Sequence, residues 1–531
     1  MKTNRTFQLR NTFILFFSLI LLSSCKTELD GITSNSDFQF EEITIAELQK
    51  GYTNGDFTIT EVVQSYLDRI QDIDQKGPQL NAIIQVNPDA LVIAEKLDNE
   101  LKEGKSRGAM HGIPVIIKDN IDTHDNMFTT AGSRALEGSK PLEDSFVVKQ
   151  LREAGAVILA KANLSEWANF RGDMSSSGWS GINGQTKNPY ILDRNPCGSS
   201  SGSGVAASAN LTVIAIGTET NGSVVCPATA NGIVGIKPTV GLVSRSGIIP
   251  ISFTQDTAGP MARTVTDAAI CLGALTGVDS TDTKTLSNDA NMQKDYTQYL
   301  KTDGLRGKRI GIYTGPLGRH YKVDTLFNQA VAFIKSQGAE VVEIDKITEG
   351  NIGGLSFQVM LYEYKDGLNN YFRSLGPDAK IKNLEELIAF NKKDSIEMEF
   401  YNQQYLEMAQ EKEDLDSDDY KKILADMLKG SREDGIDRVM NEHKLDAIIA
   451  PTGGPAWKTD HTNGDSFHVG SSSPAARAGY PNITVPMGFI ENLPVGISFF
   501  GRAWSEPLLL EIAYSYEQGT KHRKAPKFLE Q

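Results

Sequence analysis

The chain has 531 residues, of which 40% are hydrophobic and 23% charged, and its formal net charge is −14 at pH 7. This is the composition of a soluble globular protein with a large core. The acidic balance argues against nucleic acid as a partner, because phosphate binding needs a basic footprint.

The first residues differ from the rest. Lys2, Arg5 and Arg10 make a basic start without acids, and Phe13 to Leu22 ("FILFFSLILL") form an apolar run too short to span a bilayer comfortably. Residues 1–24 read as a secretory signal peptide. The run ends in "LSSC", Leu22 to Cys25, which resembles the lipobox of bacterial lipoproteins. That resemblance implies cleavage before Cys25 and lipid on its new N-terminus. The protein would then be exported to the bacterial cell envelope, on its periplasmic or surface face. Acyl chains would hold it to the membrane without a spanning helix. Residues 25–40 read as a polar tether, and 41–525 as the folded domain.

Within that domain, Thr58 and Glu61 form a capping box, and Val62, Tyr66 and Ile70 recur at helical spacing behind it. A second helix runs from Ala90 and stops at Gly104. Val115 to Ile117 read as a buried strand with Lys118 at its end. Ala156 to Ala160 read as another strand, followed by Asn163 as a helix cap. Further strands are expected at 212–220, 309–315, 339–344 and 445–452, with a hairpin across "PNITVPMGF" and "LPVGISFFGR". Residues 280–300 and 375–440 are charged and read as outer helices or insertions on the domain. Strands separated by helices predict an α/β fold. The expectation is one large domain, a mixed twisted sheet covered by helices on both faces.

Four cysteines are present: Cys25, Cys197, Cys226 and Cys271. A disulfide framework is not expected in so long a chain, and Cys197 and Cys226 read as small buried packing residues. The seven histidines are scattered, with no HExxH and no CxxC, so neither a metal nor a cofactor is expected.

The stretch "NPCGSSSGSGVAASAN" (Asn195 to Asn210) has the composition of a linker but runs into small residues suited to a close-packed helix. It reads as a loop entering a helix N-terminus. Downstream, "GTETNGSVVCPA" leaves a strand, turns through Asn221 and Gly222, and presents Ser223 ahead of a short helix, good geometry for a nucleophile. "GSSSG" also matches GxSxG with Ser200 at the elbow, and His461 or His468 could serve as its base. Pro196 spoils the strand that motif needs. Lys118 is the other candidate base, since a lysine drawn into a buried site loses its charge more easily.

Lys118 in "GIPVIIKDN", the "GSSSGSG" loop and Ser223 in "TETNGS" resemble the amidase signature family, whose mark is a Ser–cis-Ser–Lys triad. Ser199 and Ser223 stand 24 residues apart, as that pattern wants. Further family-like blocks are "TTAGS", "AKANLSEWA", "GQTKNPY", "GIKPTVGLVSRSGIIP" and "QDTAGPMARTVTDAA", so the resemblance covers roughly 41–525. It looks closest to the bacterial peptide amidases. Four positions depart from the common pattern: Cys197, Ser201 and Asn221 stand where Gly is usual, and Glu219 where Asp is usual.

The resemblance implies that Lys118 takes a proton from Ser199, which takes one from Ser223. Ser223 then attacks the amide carbonyl, and N–H groups at Thr220, Asn221 and Gly222 hold the oxyanion. It also implies a cis peptide bond before Ser199 and a pocket wall at Met174 and Ser175. Ser200, Ser201 and Ser203 read as loop hydrogen-bonders, and Asp256 and Arg263 as structural partners. Two alternatives are the glutaminase-type component of a tRNA-dependent amidotransferase, which the export signal opposes, and a non-catalytic ligand-binding surface lipoprotein.

Overall fold

Runs of β-branched and aliphatic residues dominate the strands of the computed structural model, which describes residues 38–286 and 291–531. The expected signal segment, Cys25 and the tether up to residue 37 lie outside the described residues. Thirteen strands follow in chain order: β1 Ile83–Val86, β2 Pro114–Lys118, β3 Val157–Ala162, β4 Trp179–Ser180, β5 Gly184–Gln185, β6 Ile214–Glu219, β7 Val234–Lys237, β8 Thr257–Ala262, β9 Arg309–Tyr313, β10 Glu340–Ile344, β11 Ala447–Pro451, β12 Asn482–Ile490 and β13 Leu493–Phe500. Eleven of them form one sheet in the order β1-β3-β2-β6-β8-β7-β12-β13-β11-β9-β10, while β4 and β5 pair separately. The sheet is mixed: β2 is parallel to β3 and β6, whereas β6–β8 and the β12–β13 hairpin are antiparallel. Its central strands are buried along their whole length, as their predominantly apolar sequences require.

The helices follow the sequence signals closely at their starts. Thr58 caps the helix Ile59–Arg69 through a reciprocal bond with Glu61. The helix Ala90–Lys102 gives way to Gly104, whose φ of +73° suits glycine. The charged region 375–440 does form outer helices, Leu384–Asn391, Gln404–Gln410 and Asp418–Ser431. They pack on the long helix Ile352–Ser374, and part of this layer shares a hydrophobic cluster with Trp167, Phe170 and Ile251 beside the loops of the site. By contrast, the stretch 280–300 holds only the short turns Thr283–Leu286 and Thr297–Tyr299 among its described residues.

Two local expectations need correction. Asn163 caps no helix. Its amide donates to Thr186 Oγ1 at 3.0 Å and its Oδ1 accepts from Ser180, which joins β3 to the β4–β5 pair. The packed unit also reaches beyond 41–525. Phe40 is buried, with Phe57 at 5.1 Å and Phe38 against Tyr66 at 5.2 Å between ring centres. At the other end Leu529 bridges to Ile191. Two aromatic residues close to a polar tether have no periodicity to reveal that they are inserted into the core.

The helix Ser201–Ser208 lies under the site and explains the glycine and serine content of its sequence. A methyl group on Gly202 would collide with the carbonyl oxygens of Ala82 and Asn163, and the Gly202 N–H donates to Asn163 O at 2.9 Å. Gly202→Ala is therefore expected to destabilise the protein by about 1–3 kcal/mol through overpacking. Urea unfolding checks this, and an unchanged midpoint would show that the backbone yields at no cost.

Candidate active site

Lys118 ends β2 at the carboxyl edge of the parallel strands, where ligands of α/β sheets characteristically bind. Its side chain is fully buried. Nζ donates to Thr218 O at 3.2 Å and to Thr218 Oγ1 at 2.8 Å, and lies 2.8 Å from Ser199 Oγ. A neutral amine has two N–H groups and one lone pair. Both donors are taken by Thr218, so the lone pair is left for the Ser199 hydroxyl. Burial pushes the Lys118 pKa down to about 7, against Asp256 and Glu219, whose charges favour the ammonium form.

The serines of the loop separate into two kinds. Ser200 Oγ donates to Thr218 O and accepts from Thr218 N, Ser201 Oγ donates to Cys197 O, and Ser203 Oγ donates to Ile216 O. These three satisfy backbone groups, and Ser200 is committed too fully to act as an elbow nucleophile. Ser199 is different, because among the described residues its hydroxyl meets only Lys118. The Gly198–Ser199 peptide bond is cis, as the resemblance implies.

Ser223 follows the end of β6 by a four-residue turn, and the Ser200 N–H donates to its carbonyl at 3.2 Å. Its hydroxyl makes no hydrogen bond to protein among the described residues, so the Ser199–Ser223 link is not closed here; such bonds commonly tighten only when substrate is bound. Glu219 organises the turn. Its buried carboxylate accepts from Gly222 N at 2.7 Å, Val224 N at 2.9 Å and Val225 N at 3.1 Å. The Gly222 N–H is therefore committed to Glu219. Asn221 is held by Ser472 and Ser473, and the Thr220 hydroxyl by Asp256 at 2.5 Å. Burial raises the Asp256 pKa to about 6. Arg263, as expected, serves the backbone, donating to Ala207 O and Thr212 O.

Ser223 opens into a cavity of about 630 Å³. Met174 and Ser175 line it, as do Thr220, Asn221 and Gly222. Sequence reasoning missed the segment 453–470, which supplies Trp457, Asp465 and Phe467 to the same cavity. Asp465 ties that segment to the catalytic loop: it accepts from Ser177 N and Oγ, Trp457 Nε1 and Asn195 Nδ2. Asn195 in turn accepts from Cys197 N at 2.8 Å. The segment carries no regular periodicity, so nothing in its sequence marks it as a wall. His461 stacks on Phe400 and pairs with Tyr401, and His468 meets Ser466; neither histidine lines the cavity. A His-based mechanism has no base in reach.

Cys197 and Cys226 form a disulfide, with Cα atoms 5.9 Å apart. This corrects the reading of both as separate packing residues. They are 29 residues apart in sequence, and only the apposition of the Ser199 and Ser223 loops brings them together. Cys271 is buried and free.

The amidase family profile matches residues 61–510, and the chain belongs to that family, as a hydrolase acting on amide bonds. Among solved structures, the native peptide amidase from Stenotrophomonas maltophilia superposes with a TM-score of 0.89 at 48% identity, covering 92% of this chain and 99% of that one. A probable amidase of Arabidopsis thaliana is 40% identical over 97% of this chain and 98% of its own length. One component of the glutamyl-tRNA(Gln) amidotransferase of Thermoanaerobacter pseudethanolicus is 32% identical over 91% of this chain and 98% of its own.

The disulfide ties the loop before Ser199 to the helix after Ser223. Replacing both cysteines by serine is expected to cost roughly 2–4 kcal/mol of stability, mostly through the unfolded chain. Chemical unfolding of the double variant against the parent measures it, and a loss below about 0.5 kcal/mol would mean that the fold already holds the loops.

Proposed function

We propose that the chain is an exported amidase that hydrolyses a carboxamide, either a small amide or the C-terminal amide of a peptide, by a Ser223–Ser199–Lys118 relay. The observation that carries this reading is the buried Lys118 amine, whose two N–H groups are spent on Thr218 and whose third position faces the Ser199 hydroxyl at 2.8 Å. Neutral Lys118 accepts the Ser199 proton while Ser199 accepts that of Ser223. Ser223 Oγ bonds to the carbonyl carbon, and the carbonyl oxygen becomes the oxyanion. With Gly222 N held by Glu219, the N–H groups of Thr220, Asn221 and Ser223 are the remaining candidates to stabilise it. The relay returns one proton to the leaving nitrogen as the C–N bond breaks, and water then cleaves the acyl-enzyme. The net reaction converts amide and water to carboxylic acid and ammonia or amine. No step requires a metal or cofactor.

The peptide amide is favoured among substrates by the likeness to the peptide amidase structure at 48% identity. Export and attachment through lipid on Cys25 rest on the basic start, the short apolar run and "LSSC". The Cys197–Cys226 disulfide supports the same reading, because such bonds persist in oxidising compartments outside the cytosol. Among the described residues no helix is long and apolar enough to cross a membrane.

Ammonia release from peptide, aliphatic and aryl amides by residues 26–531 tests the reading, with Ser223→Ala and Lys118→Ala alongside. Each variant is expected to lose about three orders of magnitude or more in kcat/KM, because a relay fails as a unit. Equal release by parent and variants would place the chemistry elsewhere.

The pH profile provides a second test. The active form of Lys118 is the neutral amine, and its pKa is lowered to about 7. Activity should therefore rise about tenfold per pH unit below that value and level off above it. A rate unchanged between about pH 5 and about pH 9 would exclude Lys118 as the base.

A further inference from the structure

The cavity in front of Ser223 is one-sided in its charge. Phe170, Met174, Tyr405 and Trp457 supply an apolar wall, and the ionisable acids on it are Asp173 and Asp465. Among the described residues no lysine, arginine or histidine lines it. The groups that donate to Asp465 are all neutral, a backbone N–H, a hydroxyl, an indole and a carboxamide; they favour its carboxylate without supplying a counter-charge, against burial, which pushes its pKa up. Asp173 is exposed at the cavity and makes no ion pair among the described residues. Arg171, two residues earlier, is fully buried and held between Glu166 and Glu397.

We propose that this cavity selects its substrate by charge: it takes amides whose acyl side is neutral or cationic, and rejects those with a carboxylate near the scissile carbonyl. The inference rests on the reading that Ser223 attacks its substrate here. An anionic side chain entering the cavity would shed water without finding a counter-charge, and would meet two carboxylates. A neutral apolar chain loses nothing comparable, and an ammonium gains from Asp173. The same field acts after the reaction, because hydrolysis turns a neutral amide into a carboxylate that the cavity disfavours. Free glutamine carries a carboxylate on the same short chain as its carboxamide, so the cavity opposes it as a substrate.

The test uses N-acetyl dipeptide amides ending in Gln-NH2, Glu-NH2 and Lys-NH2, with N-acetyl-Phe-NH2 as reference, and separates products by chromatography so that only loss of the C-terminal amide is counted. At about 20 mM salt, where surface charge is weakly screened, kcat/KM for the Gln amide should exceed that for the isosteric Glu amide by about tenfold, with the Lys amide at least equal to Gln. The ratio should narrow several-fold in Asp173→Asn and at about 300 mM salt. Each ratio is taken within one enzyme, so a partly misfolded variant does not disturb it. Equal rates for the Gln and Glu amides would overturn the inference, as would a ratio that neither Asp173→Asn nor salt changes. If no amide in the set, including the Phe reference, is hydrolysed, the peptide-amide reading of the site fails and this inference falls with it. Hydrolysis of the reference with equal Gln and Glu rates overturns the charge selection alone.

Discussion

The site depends on keeping a lysine buried without a carboxylate against it. A charged ammonium in a dry interior is costly, and a salt bridge would be the usual remedy. Here the contacts of Lys118 Nζ are a carbonyl and two hydroxyls. That set suits a neutral amine with two donors and a lone pair, and it leaves an ammonium without a counter-ion in contact. Thr218 gives this arrangement its direction. It sits on β6 beside β2, takes both N–H groups, and is itself fixed by Asn120 and Ser200. The parallel pairing of β2 with β6 places the base, and the Ser199 loop is added to it.

Around that pair, buried polar groups hold two loops still. Ser200, Ser201 and Ser203 return their hydroxyls to backbone carbonyls. Glu219 gathers three N–H groups of the Ser223 turn, and Asp256 holds Thr220 together with the backbone at Ile251 and Ser252. The disulfide closes the frame from the other side. In each case a polar group that would be costly to bury alone is paired, and the pairing fixes the position of a loop. Ser223 is the exception, with its hydroxyl left toward the cavity.

How much of this could be read in the sequence depended on the range of the interaction. Lys118 was legible because an unbroken apolar run ending in lysine has few explanations, and Ser223 because its loop leaves a clear strand; Ser199 was set apart from Ser200, Ser201 and Ser203 only by the resemblance to the amidase signature family. The strands β2, β6, β12 and β13 were legible from local composition alone. The Cys197–Cys226 bond was not, since pairing across 29 residues is set by how two loops meet. Asp465 was not either. Its segment, residues 453–470, has no apolar period, and its importance comes from reaching Ser177 and Asn195, more than 250 residues earlier. Phe40 and Leu529 show the same limit at the ends of the domain. Asn163 looked like a cap because Asn before an apolar run commonly is one, and a tertiary partner, Thr186, claimed it first.

The charges near the site act on two different steps, and their placement reconciles them. Asp256 and Glu219 raise the pKa of Lys118 and so oppose its neutral form, yet desolvation outweighs them and leaves the amine close to 7. Stronger negative charge near Nζ would restore the ammonium and remove the base. The carboxylates that line the cavity, Asp173 and Asp465, are absent from the groups that perturb Lys118. Because Coulomb interactions across a solvent-filled cavity are screened while those through the packed interior are weakened far less, the cavity can be acidic enough to disfavour a carboxylate product without protonating the base behind it. The Ser199 loop separates the two regions. It touches Lys118 on its inner side and, through Gly198, the cavity on the other.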